Sequence, residues 1–321
     1  MSPEFALIQK YFTRPAATAS LGVGDDCALV NISPGHTLAI STDSLVAGTH
    51  FYADTDPEKL GHKALAVNLS DLAAMGATPR FVLLALTLPS VDPHWLAAFS
   101  RGFFALADRF KVELIGGDTT KGPLSMTLTV LGEIGAGKAL RRDGAKRGDD
   151  IWVSGEFGGA ALGLQYLQGL AAGGGEGLAN ALERLYTPQP RVALGVCLVG
   201  VANSAIDVSD GLVADLSHIC TRSNLAATIN LAAVPRAKAL AALSEDQQWR
   251  CALSGGEDYE LCFTAASGQR DAIQAVAREC AIPLTRVGQM RAGVPGVQIM
   301  GDGGQEIILA TSGFDHFSSA D

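Results

Sequence analysis

The sequence predicts an α/β protein with mixed (α+β) sheets, built as two domains with an active-site cleft between them. Three observations carry this. Strand-like apolar runs alternate with amphipathic helical stretches through both halves of the chain. At 321 residues the chain can bury two cores. Acidic segments are divided between the halves, as a site shared across a cleft requires. The boundary is expected at Arg147-Gly148-Asp149-Asp150, giving domains 1–148 and 149–321.

Residues 4–12 put Phe5, Ile8 and Phe12 on one helical face. Strands are expected at 27–32 and 37–42, joined by Ser33-Pro34-Gly35. Asp43 would end the second strand, and a loop, 44–51, would carry His50. Helices follow at 57–75 and 93–110. Between them the near-continuous apolar run 80–89 reads as a strand buried on both faces. A strand at 112–115 delivers Gly116-Gly117-Asp118-Thr119-Thr120, and 125–134 alternates as a further strand. The second half offers strands at 151–154, 205–208, 228–231, 259–264 and 285–290, with helices at 158–170, 191–201, 212–223 and 270–280. Residues 173–177 read as a flexible surface loop.

Composition narrows the function. Hydrophobic content of 48% and charged content of 18% describe a globular, soluble chain. The net charge of −9, from 24 basic and 33 acidic residues, argues against nucleic acid as a partner. A phosphorylated substrate stays open, because bound Mg²⁺ inverts the local charge. The six cysteines show no C-x-x-C spacing and read as free thiols of a reducing cytosol. No signal peptide is evident, and the most apolar run, 81–88, is too short to span a bilayer, so a cytoplasmic protein without membrane contact is expected.

The chemistry centres on 61–76, a helix rich in Ala and Leu that nonetheless carries Asn68 and Asp71. Three apart, these two share a face. A carboxylate in so apolar a setting needs compensation, from Lys63 or from a bound metal; the alternative is an Asp capping a break in the helix. Four other segments repeat the theme: Gly24-Asp25-Asp26, Ser41-Thr42-Asp43, Gly116-Gly117-Asp118 and Asp207-Val208-Ser209-Asp210-Gly211. Oxygen-only donors of this kind suit Mg²⁺. Glycines at 116–117 allow a phosphate or metal close to the backbone. Arg142 is a basic candidate whose bland alternative is a solvated surface charge. A lone His such as His50 is more often structural. The stretch 132–138, GEIGAGK, has P-loop spacing, but Ala139 stands where Ser or Thr would ligate Mg²⁺; a glycine-rich hairpin turn accounts for it better. No nucleophile pairs with an evident base. Together these features describe a phosphoryl-transfer site.

Seven motifs in order, GDDCALV, STDSLVAGTHF, KALAVNLSDLAAMGA, LIGGDTT, AIDVSDGL, GGEDYELCFT and GFDHF, resemble the thiamine-monophosphate kinases, of the superfamily that includes aminoimidazole ribonucleotide synthetase. The resemblance implies a two-domain PurM-like fold, a homodimer through N-terminal sheets, and ATP-dependent conversion of thiamine monophosphate to thiamine diphosphate. It implies Mg²⁺ ligation by Asp26, Ser41, Thr42, Asp43, Asp71, Asp118, Asp207 and Asp210, with Asp71, Asp118 and Asp210 central to catalysis. It implies ATP contacts from Gly117, Arg142 and Ser209, and acceptor contacts from His50, Glu257 and Phe314. Position 314 is Phe where the family often carries Tyr or Trp, which keeps stacking but not a hydroxyl. Within the superfamily, a selenophosphate synthetase would show a reactive Cys in a glycine-rich N-terminal segment and a hydrogenase maturation factor a C-terminal Cys; this chain has neither. A non-catalytic nucleotide- or metal-binding protein is the rival of another class.

Overall fold

The helix Pro57–Ala74 starts and stops on recognisable signals. The Asp56 carboxylate accepts the N–H groups of Glu58 (2.9 Å) and Lys59 (3.0 Å), and Pro57 needs no partner at the first position. At the other end Gly76, at φ +70°, closes a Schellman turn with Gly76 N–H on Ala73 O and Ala77 N–H on Leu72 O. Every residue from Ala64 to Ser70 is buried.

The computed structural model describes residues 3–171, 175–301, 303–309 and 313–314. The chain divides into two compact units: Met1–Leu72 with Ala77–Gly137, and Ala73–Gly76 with Lys138–Asp321.

The first unit holds α1 (Pro3–Tyr11), β1 (His36–Val46), α2 (Pro57–Ala74), β2 (Thr78–Leu88), α3 (Pro93–Phe110), β3 (Glu113–Lys121) and β4 (Ser125–Gly135). Its sheet runs β1-β4-β2-β3, antiparallel except for the β2–β3 pair that α3 connects. One face is covered: Val82, Leu84, Leu86, Met126, Leu128 and Val130 are buried, as is the aromatic column Phe99–Phe103 of α3. The two long helices meet backbone to backbone, since a Cβ on Gly102 would lie 1.8 Å from Glu58 O and one on Gly61 2.1 Å from Phe99 O. The other sheet face is open. Ile40 and Val46 are exposed on it, and hydroxyl pairs cross it at Thr42–Thr129 (2.8 Å) and Ser44–Thr127 (2.7 Å).

The second unit holds β5 (Asp150–Ser154), α4 (Gly159–Leu167), α5 (Gly175–Tyr186), α6 (Val192–Leu198), β6 (Ser204–Val208), α7 (Leu212–Ser223), β7 (Ala226–Asn230), α8 (Glu245–Ser254), β8 (Glu260–Ala265), α9 (Arg270–Cys280), β9 (Leu284–Arg291), β10 (Gly296–Met300) and β11 (Glu306–Ile307). The seven strands run β11-β10-β7-β9-β5-β8-β6, with β10–β7 the parallel pair. Ile151, Val153, Ile206, Leu216, Cys262 and Val287 form part of its core. All six cysteines are free thiols, and burial pushes those of Cys220 and Cys251 up to about 11, which makes them poor nucleophiles. Among the described residues no helix is long and apolar enough to cross a membrane.

Several sequence expectations need correction. Residues 27–32 form no strand; an isolated bridge, Leu21–Leu29, holds this approach instead. β1 runs on to Val46, so Asp43 is inside it rather than at its end. Likewise β3 continues through Gly116–Lys121, so Asp118 is a strand residue. Both strands lie at sheet edges, where polar residues face solvent and the apolar signal that marks a strand fades. β2 is not buried on both faces: Ala85 is exposed on the open face. Residues 132–138 are neither P-loop nor hairpin. β4 extends to Gly135, its partners are β1 and β2, and the turn at Gly137 (φ +73°) leads to the short 3₁₀ segment Arg142–Gly144. Of the expected loop at 173–177, Gly173 and Gly174 lie outside the described residues and Gly175 already opens α5.

The inner strand of the second unit carries an ion cluster with a pH signature. Asp150, fully buried, accepts from Arg270 (2.6 and 2.9 Å) and Arg286 (3.2 Å). The Arg270 hydrogen bonds, joined by that of Arg286 and opposed by burial, hold its carboxyl below the usual range. A depressed folded-state value stabilises above the unfolded pKa and is lost as pH falls through the folded one. Asp150→Asn is therefore expected to lower the melting temperature at pH 7, with the gap to wild type closing below about pH 4. Thermal melts across that range check it; a gap unchanged at acid pH contradicts it.

Candidate active site

In the first unit, α2 and β1 join Ser41, Asp43, Asn68 and Asp71 into one patch. Asn68 and Asp71 do share a face, and β1 lies against it. The Ser41 hydroxyl donates to Asp71 Oδ2. The Asp43 N–H donates to Asn68 Oδ1 (3.1 Å), while Asn68 Nδ2 donates to Ala64 O (2.9 Å). Asn68 is fully buried, so its two bonds satisfy an amide that would otherwise be costly, and they fix β1 against the helix. Ser41 and Asp43, two apart in a strand, necessarily face the same way.

Thr42 faces the other way. Its hydroxyl meets Thr129 on the open face. Asp118 is on that face too, in the row Ser44–Thr127–Ala85–Asp118 defined by strand register. β1 and β3 are the two edges of the sheet, three strand spacings or about 14 Å apart. Asp118 is thus separated from Ser41, Asp43 and Asp71 within the sheet. Asp26 is exposed on the loop before β1, where its N–H meets Asp25 Oδ1 (2.9 Å). His50 accepts the Val46 N–H at Nδ1 (3.1 Å), which places the ring proton on Nε2. Gly117, at φ +149°, is required by packing: a Cβ would lie 1.9 Å from Leu84 O.

The second unit brings four expected residues together at one loop. Strand β6 carries the buried Asp207 and ends in Ser209-Asp210-Gly211, which opens α7. Ser209 O accepts the Glu257 N–H (2.8 Å), and Asp210 O accepts the Phe314 N–H (3.1 Å). Close packing requires glycine on both sides, since a Cβ on Gly256 would lie 2.3 Å from Ser209 O and one on Gly313 2.7 Å from Asp210 O. Of the closing stretch 313–317, Gly313 and Phe314 are described; the Phe314 ring is exposed. Arg142 is exposed on its 3₁₀ turn, whose carbonyl accepts from Ser223 Oγ (2.8 Å).

Two carboxyls not anticipated from sequence support this loop. Asp258 accepts the Gly158 N–H with both oxygens (3.1 and 3.0 Å), tying β8's approach to the start of α4. Its neighbours Glu257 (φ +71°) and Tyr259 (φ +49°) are both in the left-handed region, a strained conformation held by the surroundings. Burial pushes the Asp258 carboxyl well above its usual range, against the Gly158 hydrogen bond. Asp215, in the first turn of α7, accepts the N–H groups of Ser209, Asp210 and Gly211 on one oxygen. Burial, reinforced by the Asp210 charge, pushes it up to about 7. Each is an acid close in sequence to a glycine-containing turn, a signal that ordinary turn and cap residues share.

Family models match both halves: the N-terminal domain of AIR synthase related proteins at residues 24–134 and the C-terminal domain at 146–299. Thiamine-monophosphate kinases of Salmonella typhimurium and Escherichia coli are each 49% identical to the chain over 321 residues, covering 98% of both partners. The chain belongs to the thiamine-monophosphate kinase family. It is accordingly an enzyme, with the two-domain PurM-like fold of mixed sheets. The crystal structure of the Stenotrophomonas maltophilia thiamine-monophosphate kinase superposes with a TM-score of 0.83 at 47% identity, covering 92% of this chain and 93% of that one. A structure of AaThiL complexed with AMPPCP and TMP gives 0.78 at 29% identity over 93% of each chain. The hydrogenase maturation protein HypE in complex with ATP, at 22% identity and a TM-score of 0.76, shares the fold alone.

Proposed function

We propose that this chain transfers the γ-phosphoryl group of ATP directly to the phosphate of thiamine monophosphate, giving thiamine diphosphate and ADP. The observation that carries this is the 49% identity to two thiamine-monophosphate kinases over almost the full length of each chain. The AaThiL complex with AMPPCP and TMP supports the same substrate pair. An acceptor phosphate oxygen attacks the γ-phosphorus while the bond to the β–γ bridging oxygen breaks. The acceptor is already an anion and needs no general base. Catalysis is then mostly positioning and charge neutralisation.

The donors fit Mg²⁺ in kind. They are all oxygens, and Ser41 Oγ and Asp71 Oδ2 are adjacent. Among the described residues no three His, Cys, Asp or Glu side chains form a metal-holding group. Ser41, Asp43 and Asp71 would hold ions on one face of the first unit's sheet, Thr42 and Asp118 on the other, with Asp26 on its loop and Asp207 and Asp210 in the second unit; the ions would supply neutralisation of the phosphate charge. Gly117, Arg142 and Ser209 would hold ATP. His50, Glu257 and Phe314 would hold the acceptor, Phe314 stacking on its rings and Glu257 facing its cationic or amino groups.

A homodimer fits the open sheet face of the first unit. Ile40 and Val46 are exposed there on either side of the Thr42–Thr129 and Ser44–Thr127 pairs, apolar side chains that a second copy would cover. The free thiols, three of them buried, suit a cytoplasmic setting.

Arg142 and Lys138 separate this reading from a P-loop. Arg142→Ala is expected to raise the KM for ATP about tenfold, the loss of one charge-assisted contact, and Lys138→Ala to change it less than about twofold. Steady-state kinetics of both variants test this. A large loss at Lys138 with none at Arg142 would reverse the assignment.

A further inference from the structure

We infer that Asp215 is a positioning residue for phosphoryl transfer: its buried carboxyl organises the Ser209-Asp210 loop so that this loop meets its ligands through side chains alone. The inference rests on the kinase reading above.

Three successive N–H groups pointing at one spot resemble an anion cradle of the kind that binds phosphate. Here the anion is internal. Asp215 Oδ2 accepts from Ser209 (3.0 Å), Asp210 (3.0 Å) and Gly211 (3.2 Å), and Asp215 is almost fully buried. It sits one helical turn beyond the loop, and its own N–H returns to Gly211 O (3.0 Å). The carbonyls are engaged as well, Ser209 O by Glu257 and Asp210 O by Phe314. Every main-chain polar group of Ser209 and Asp210 is therefore used within the protein. With the main chain committed, the loop presents its side chains, not its amides, to a ligand. The same bonds link Ser209 and Asp210, proposed for ATP and metal, to Glu257 and Phe314, proposed for the acceptor. A shift of the loop moves all four. Gly211, at φ +123° with a would-be Cβ 2.9 Å from the Ser254 carbonyl carbon, leaves little room for the loop to refold around a smaller residue at 215.

A positioning role differs from a merely structural one in its kinetics. A structural lesion lowers the amount of active enzyme and leaves KM alone. Asp215→Ala is expected to raise the KM for both ATP and thiamine monophosphate and to lower kcat/KM about 100-fold. Asp215→Asn keeps an acceptor oxygen in place and is expected to rescue kcat/KM to within about threefold of wild type. Unchanged KM values in folded Asp215→Ala, or an Asn variant as poor as the Ala one, would overturn the proposal. Should the Ala variant not fold, amide hydrogen exchange on the wild-type chain decides. The amides of Ser209, Asp210 and Gly211 are expected to be protected without ligand and unchanged on adding AMPPCP with Mg²⁺. Fast exchange that becomes slow only with AMPPCP would mean that they cradle phosphate. If the wild type makes no thiamine diphosphate, the kinase reading fails while the exchange result still judges the loop.

Discussion

Asp71→Asn is expected to lower thiamine diphosphate formation about 1,000-fold while leaving the fold intact. The residue joins two elements, since it lies on α2 and takes the Ser41 hydroxyl of β1. Asparagine keeps an oxygen for that hydroxyl, so the helix–strand contact survives. What it loses is the negative charge that a hard cation needs. Loss of charge stabilisation at a phosphoryl-transfer site removes about 4 kcal/mol of transition-state binding, which is that factor of 1,000. The apo-protein, melted in EDTA, should be as stable as wild type or more so, because removing a partly buried charge relieves its desolvation. Kinase rates and EDTA melts on the same preparation test both halves. Activity near wild type at ordinary Mg²⁺ would remove Asp71 from the metal site.

Free thiamine is expected to be a poor acceptor, with kcat/KM about 1,000-fold below that of thiamine monophosphate. Its hydroxyl must lose a proton as it attacks, and general-base catalysis is worth about 10²–10⁴-fold where a base exists. No residue assigned to the acceptor side offers that base without giving up its own role. The His50 Nδ1 is occupied by the Val46 N–H. Thiamine also lacks the phosphate that the carboxylates proposed as metal ligands would hold through their ions. Binding of the rings is a separate matter. Phe314 donates its N–H to Asp210 O and its ring is exposed; the proposed acceptor contact is stacking of that ring on a cationic heterocycle. A cation over an aromatic face contributes about 0.5–2 kcal/mol. Phe314→Ala should therefore raise the KM for thiamine monophosphate by about 2- to 30-fold and that for ATP by less than about twofold. Comparable kcat/KM for thiamine and its monophosphate would show that the acceptor argument is wrong even if ATP use stands.

Much of the candidate site's local geometry was legible because it is written in local patterns. Asn68 and Asp71 could be put on one helical face from spacing alone, and they are there. The Asp207 to Gly211 stretch could be read as a strand end leading into a helix, and α7 begins at Leu212 as expected. What those residues touch was not legible. Ser41 meets Asp71 across thirty residues, through a register set by β1–β4 pairing. Thr42 and Asp118 were expected to share the metal site with Ser41, Asp43 and Asp71, but alternation along β1 and the β1–β4–β2–β3 register put them on the opposite face. Asp215 escaped notice because its work is to accept backbone N–H groups, which leaves no motif of its own. Helix α8 escaped as well, although its Ser244–Gln247 capping box was present in the sequence; its mostly polar surface hid the periodicity.

The most direct test of the central claim follows the γ-phosphoryl group itself. The purified full-length chain is incubated with γ-labelled ATP, Mg²⁺ and thiamine monophosphate, and the products and the protein are separated. Direct transfer requires that label appear in the terminal phosphate of thiamine diphosphate, one for each ADP formed, with none on the protein at any time. ADP released without labelled thiamine diphosphate, or label retained on the chain, would contradict it.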